Sequence, residues 1–227
     1  MQCIILAAGK GVRMGKLTEN CPKSMLPIAG RPKLEHSLRM LPDAVTEVIL
    51  VVGYLGGVIR KHFGTEFDGK MIRYVEQQEL NGSGGAIHLV KNMVEGKFLV
   101  CMGDDLYRKA DLERMLQNNL AVLACEVEDS SQFGVLETDE EGTLVGIIER
   151  PHSAQHTLVN TGAYVLNKHF FEYPLVSISD TEYGLPQTLT QMRNTYAIVV
   201  ERTTTWFPIG DPEALLAAQL KINDFLV

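Results

Sequence analysis

A chain of 227 residues, 45% hydrophobic and 22% charged, has the size and composition of a globular protein with a full core, as one large domain or two small ones. Its net charge of −7 argues against general nucleic-acid binding, and no apolar run is long enough to suggest a membrane span. Four widely spaced cysteines, Cys3, Cys21, Cys101 and Cys125, suggest neither a zinc site nor a disulfide framework. With an opening that lacks the basic segment and cleavage site of a signal peptide, they point to a reducing cytoplasm.

In chain order, CIILAA (3–8) reads as a buried strand, and PKLEHSLRML (32–41) as a helix with Pro32 suited to its first turn. TEVILVVG (46–53) is a β-branched strand, GGVIRKHFG a short helix closed by Gly64, and KMIRYVEQ (70–77) a strand. SGGAIHLVKNMV (83–94) reads as a helix with Ser83 near its N-cap, KFLVCMG (97–103) as a buried strand and ADLERMLQNN (110–119) as a helix. Apolar strands alternating with helices predict an α/β fold with a mostly parallel, Rossmann-like sheet flanked by helices, whose ligands sit at the carboxyl ends of the strands.

After about residue 121 the pattern becomes strands separated by turn signals, with a hairpin expected at Asp139 to Gly142. This predicts an antiparallel region added to the same core. Helices return at YGLPQTLTQM and at 211–226, where Asp211 before Pro212 is a strong helix start. No linker separates the halves, so a single domain over 1–227 is expected, with one part over 1–120 and a second over 121–227.

The opening LAAGKGVRM places small residues and then cations after the first strand. Residues 1–35 hold six cations and two acids, a basic end on an acidic protein, as expected where a polyanion docks. The glycines Gly9, Gly11 and Gly15 do not have the G-x-G-x-x-G spacing of a dinucleotide-binding turn, and the loop also misses Walker A spacing. A functionless glycine-rich turn is the plain alternative.

Extended through PKSMLPIAGRP, the stretch becomes L-A-A-G-x-G-x-R-M-x(7)-P-K-x-x-x-P, with EQQELNGSGGA, GDD, FGVLE, IIERP, VNTGAYVL and IGDPEALLAA following in order. This resembles the sugar-1-phosphate nucleotidyltransferases (NDP-sugar pyrophosphorylases), nearly end to end. The resemblance implies a GT-A-like nucleotidyltransferase fold whose second part binds the sugar. It also implies transfer of a nucleotidyl group from UTP or dTTP to a sugar 1-phosphate with Mg²⁺; a cytidylyltransferase acting on phosphocholine and a non-catalytic nucleotide-sugar binder are the alternatives. Arg13 and Lys23 would carry transition-state stabilisation. Leu6, Ala7, Ala8, Gly9 and Gly11 would line the triphosphate, and Gln77, Gly82 and Ser83 would hold the base. Val12 stands where many relatives have Thr.

Asp104 matches the family's metal-binding Asp, while Asp105 reads more readily as a helix cap. The usual second metal Asp is replaced by Pro208, leaving Asp211 as a ligand or simply a cap. Gly134, Glu149, Arg150 and Asn160 match sugar-phosphate contacts, with Arg150 where relatives have Lys. His152 and His156 read as a solvated loop pair. No C-terminal hexapeptide-repeat domain is expected, and a homo-oligomer is left open.

Overall fold

The computed structural model describes residues 1–149 and 157–225, with only the backbone of Glu149 described; Arg150, His152 and His156 lie outside the described residues. The first half supplies strands β1 (Gln2–Ala7), β2 (Glu47–Val52), β3 (Glu66–Phe67), β4 (Lys70–Glu76), β5 (Lys97–Met102) and β6 (Asp105–Tyr107). Between them run helices α1 (Lys33–Arg39), α2 (Gly56–Phe63) and α3 (Gly82–His88), and α4 (Lys109–Met115) follows. The second half supplies β7 (Ala121–Val127), β8 (Gly134–Thr138), β9 (Leu144–Glu149), β10 (Thr157–Asn167), α5 (Leu185–Thr190), β11 (Val199–Thr203), β12 (Trp206–Pro208) and α6 (Pro212–Lys221).

One sheet runs through both halves in the order β9-β8-β10-β5-β1-β2-β4-β3, with β7 paired to β10 and β11 to β7. Strands β5, β1, β2 and β4 are parallel, with Ile4 level with Ile49 and Val100. The join is β10, which runs antiparallel to β5, β7 and β8. The added region is not wholly antiparallel, because β11 returns parallel to β7.

Alternate residues of these strands bury to opposite faces, as period-2 geometry requires. Ile4, Ile49, Val51, Phe98 and Val100 pack with Ala86, Ile87, Leu185 and Leu189 of α3 and α5. Cys3, Ile5, Val48, Leu50 and Leu99 pack with Leu34, Leu38, Ile59, Leu112 and Met115 of α1, α2 and α4. A third cluster joins Leu215 and Ala218 of α6 to Met14 and Leu26 of the amino-terminal loop. The last helix thereby closes over the first loop rather than over the sheet.

The hairpin at Asp139–Gly142 forms: the Asp139 carboxylate accepts from the Glu141 and Thr143 amides, and Gly142 has φ 78°. Gly64 ends α2 by donating to Arg60 O. Helix α3 is shorter than its sequence suggests and starts one residue earlier. Asn81 occupies the flanking position, and Ser83 is no cap: its hydroxyl accepts the Leu185 amide at 3.1 Å, fastening α5 to α3. Three glycines in α3, at 82, 84 and 85, weaken helix propagation, and past His88 the chain continues in i+3 turns. Among the described residues, no helix is long and apolar enough to cross a membrane.

Candidate active site

The chain leaves β1 into a bend packed against the ends of its neighbours. Tyr54 N donates to Ala8 O, and Gly103 N to Leu6 O. Gly11 turns the chain at φ 65°, and a Cβ there would stand 2.8 Å from the Lys23 Cβ, so only glycine lets the Lys23 stem lie against the bend. Thr18 Oγ1 braces the turn by donating to Gly11 O at 3.1 Å. Among the described residues, no group accepts from the amides of Gly9, Lys10 or Gly11. Val12 is 82% exposed. The bend therefore presents unspent donors and one exposed apolar side chain.

Beside it lies a cleft of about 550 Å³, open to solvent. It gathers Arg13, Lys23, Ser83, Asp104, Asn160 and Asp211 from the expected site residues. The Arg13 guanidinium packs on Gly210, where a Cβ would come within 3.3 Å of Nη1, and reaches Gln132 Oε1 at 3.5 Å. The Lys23 ammonium is ion-paired with the Asp104 carboxylate. Asn160 is tied at both ends: Nδ2 donates to Tyr164 Oη at 2.7 Å, and Oδ1 accepts the Gly162 amide at 3.0 Å. Asp211 Oδ1 accepts the Ala214 amide and caps α6, while its side chain also lines the cleft.

Two adjacent carboxyl groups follow β5 and differ in charge. Burial pushes Asp104 up, but the Lys23 and Lys33 ammoniums outweigh it and hold the carboxyl below the usual range. Burial and the neighbouring Asp104 charge push Asp105 up to about 8, against a 3.2 Å hydrogen bond from Trp206 Nε1. Asp105 is thus no helix cap: it opens β6 and holds the indole of β12.

The remaining expected residues lie elsewhere. Leu6 and Ala7 are strand residues at the end of β1, and Ala8 is buried in the bend beyond them. Gln77 is buried, lines a separate depression of about 340 Å³, and donates from Nε2 to Asn81 Oδ1 and Gly82 O. The amide expected to read a base is bonded within the protein. Gly82, at φ 85°, lies against the Tyr183 backbone, which supplies an internal reason for glycine there. Gly134 begins β8, opposite Glu149 in register, next to the cleft-lining Phe133.

Sequence reasoning missed Asp129, Gln132, Phe133 and Trp206 as cleft residues. Phe133 meets Trp206 edge-on at 5.1 Å. The one signal available was that Trp206 is the only tryptophan in the chain.

Among the described residues, no group of three or more His, Cys, Asp or Glu side chains gathers to hold a metal. The cleft offers two carboxylates, Asp104 and Asp211, which suits a hard cation that takes one or two carboxylates and its other ligands from phosphate and water.

The site is built on an α/β frame: unspent amides and Arg13 just beyond the first strand, Asp104 just beyond β5, and Lys23 from the loop between. Residues 2–224 match the sequence model of the Nucleotidyl transferase family, and the chain belongs to that family. It is 33% identical over 232 residues to the bifunctional protein GlmU of Methanococcus maripaludis, covering 100% of this chain and 54% of that relative. The chain thus spans about half the length of the GlmU relatives it matches. It is 31% identical over 236 residues to the UTP–glucose-1-phosphate uridylyltransferase AglF of Haloferax volcanii, covering 99% and 97% of the two chains. A crystal structure of UDP-glucose pyrophosphorylase complexed with UDP-glucose superposes with a TM-score of 0.84 over 98% of each chain, at 22% identity, a likeness of fold.

Proposed function

We propose that the chain transfers a nucleotidyl group from UTP or dTTP to a hexose or N-acetylhexosamine 1-phosphate, giving a nucleotide sugar and pyrophosphate. The observation that carries this reading is the placement of Arg13 and Lys23 in one cleft beside a bend whose three successive amides have no internal acceptor.

A sugar-phosphate oxygen attacks the α-phosphorus, the bond from that phosphorus to the bridging oxygen breaks, and pyrophosphate leaves with the electron pair. The attacking group is already anionic near neutral pH, since the second pKa of a phosphomonoester is about 6, so no general base is needed. The protein's task is to hold two polyanions together and to stabilise the leaving charge. The amides of Gly9–Gly11 bind phosphate oxygens, Arg13 offers a planar fork, and Lys23 a mobile point charge. Asp104, with Asp211, would hold Mg²⁺, whose charge offsets that of the polyphosphate. Residues 1–120 would carry the nucleotide and 121–227 the sugar phosphate, with Asn160 on the cleft wall among its contacts.

The choice of UTP or dTTP rests on the named activity of the Haloferax relative and on the sequence spacing of Gln77 to Gly82, with the Gln77 amide having to leave Asn81 and Gly82 to meet a base. A second reading, a nucleotide-sugar binder without turnover, is favoured by Pro208 on the cleft wall in place of a carboxylate and by the capping bond of Asp211. Pyrophosphate release across a matrix of nucleotides and phosphorylated acceptors, with Mg²⁺, separates them. Turnover with UTP or dTTP and a hexose 1-phosphate is expected. Turnover only with CTP and phosphocholine replaces the acceptor class, and nucleotide-sugar binding without turnover establishes the second reading.

A further inference from the structure

The chain leaving β2 is packed directly on the bend. A Cβ on Gly53 would stand 2.9 Å from Ala8 O and 3.2 Å from Gln77 O. Two residues later Leu55 turns the chain at φ 53°, a left-handed conformation that a leucine adopts only at a cost in backbone strain. Between them Tyr54 makes two bonds to the loop that carries Arg13. Its amide donates to Ala8 O at 3.1 Å, and its hydroxyl donates to Glu19 O at 3.0 Å. At Ala8 the chain enters that loop from β1, and at Glu19 it leaves the turns over 12–18. One residue therefore holds both ends.

The interior of the loop is held separately. Met14 is buried with Leu215 and Ala218 of α6, and Thr18 Oγ1 lies 3.1 Å from Gly11 O and 3.2 Å from Gly15 O. None of these contacts takes up the amides of Gly9, Lys10 or Gly11. The two bonds of Tyr54 differ in kind. The amide bond belongs to the backbone and survives a change of side chain. The hydroxyl bond depends on tyrosine, and because it is open to solvent it adds little to global stability. What it restricts is the outgoing end of the loop. An untethered loop loses that freedom when a ligand orders it, and the loss is subtracted from affinity.

We infer that Tyr54 is a positioning residue: its hydroxyl fixes the outgoing end of the loop over 8–19, so that the amides of Gly9–Gly11 and the Arg13 side chain are in place before a phosphate arrives. The phosphate part rests on the transfer reaction proposed above; the tether does not.

Two measurements test it, both on Tyr54→Phe, which keeps the ring and the amide bond and loses only the hydroxyl. The first is amide hydrogen exchange without any ligand. Exchange over residues 12–19 should quicken about five-fold, the scale of one hydrogen bond, while β2 exchanges as in wild type and the urea midpoint stays near wild type. Unchanged exchange over 12–19, or a quickening that extends to β2, overturns the tether.

The second is calorimetric binding of inorganic pyrophosphate with Mg²⁺. Tyr54→Phe should bind about five-fold more weakly than wild type, although Tyr54 lies outside the lining of the cleft. Equal affinity overturns the positioning role and leaves the transfer reaction standing. A wild type that binds no pyrophosphate removes the phosphate role together with the transfer reaction, and hydrogen exchange still decides the tether.

Discussion

The two halves of the protein reach the cleft by different means. The parallel half contributes groups from the chain just beyond strand ends: the Gly9–Gly11 amides and Arg13 after β1, and Asp104 after β5, with Lys23 further along the loop. Its amide donors are unspent, and its ion pair on the cleft wall joins Lys23 to Asp104. The second half contributes side chains already satisfied inside the protein. Asn160 is bonded at both ends, Trp206 is held by Asp105, and Phe133 is braced on Trp206. Unspent donors make a site for charge, and satisfied groups make a wall of fixed shape. One cleft thus combines an electrostatic side with a steric one.

The sharpest way to break this contrast is to remove charge from one side and shape from the other. Arg13→Ala and Lys23→Ala should each lower turnover by about 10²-fold or more, the scale found when a preorganised donor to developing charge is lost. Phe133→Ala removes only a wall and should act through the acceptor's KM, with kcat within about ten-fold of wild type, as uniform binding loss does. Pyrophosphate release kinetics read both. Equal kcat losses from Phe133→Ala would erase the division, and wild-type kcat in Arg13→Ala would remove the electrostatic side.

The same contrast explains what the sequence made legible. Strands β1 and β5 are near-continuous apolar runs whose ends carry the loops, so reading just past each finds the bend with Arg13 after one and Asp104 after the other. The steric wall draws on Asp129–Phe133 and Trp206, more than seventy residues apart in the chain, and no local pattern links them. The burial of Lys33 was hidden for another reason: a lysine opening an amphipathic helix reads as solvent-facing, yet it is 1% exposed with its Nζ 3.4 Å from Asp104 O. Gln77 and Gly82 were found as a spaced pair, but spacing cannot show that Gln77 donates to Gly82 O and that Tyr183 presses on Gly82.

Gly82 sits on the seam between the halves, which sets the next effect in size. A Cβ there would press on the Tyr183 carbonyl and lie 2.9 Å from Tyr183 N, and its φ of 85° is itself unfavourable for other residues. Gly82→Ala should cost about 1–3 kcal/mol of stability, the scale of a non-glycine residue forced into such a conformation. At Gly9, by contrast, no atom lies within 4 Å of a would-be Cβ. Gly9→Ala should leave the urea midpoint near wild type and act on phosphate binding instead. Equal destabilisation at both positions would mean that the bend is as tightly packed as the seam.

The smallest expected effect lies at the same seam, where His88 of α3 meets Phe171 of the second half edge-on at 5.8 Å. Burial, helped by the nearby Lys91 charge, lowers the imidazole pKa below its ordinary value. Between that lowered value and about 6.5 the unfolded chain binds more protons at this position than the folded one, so stability rises with pH through the window and levels off above it. Acidification from pH 7 to 5 should therefore destabilise wild type more than His88→Gln, which has no proton to take up. The difference between the two proteins isolates this group from the carboxylates that titrate in both. Urea midpoints at several pH values check it. Parallel curves would show that the imidazole titrates alike in both states and that contact with Phe171 does not keep it neutral, leaving packing alone to hold the seam at this point.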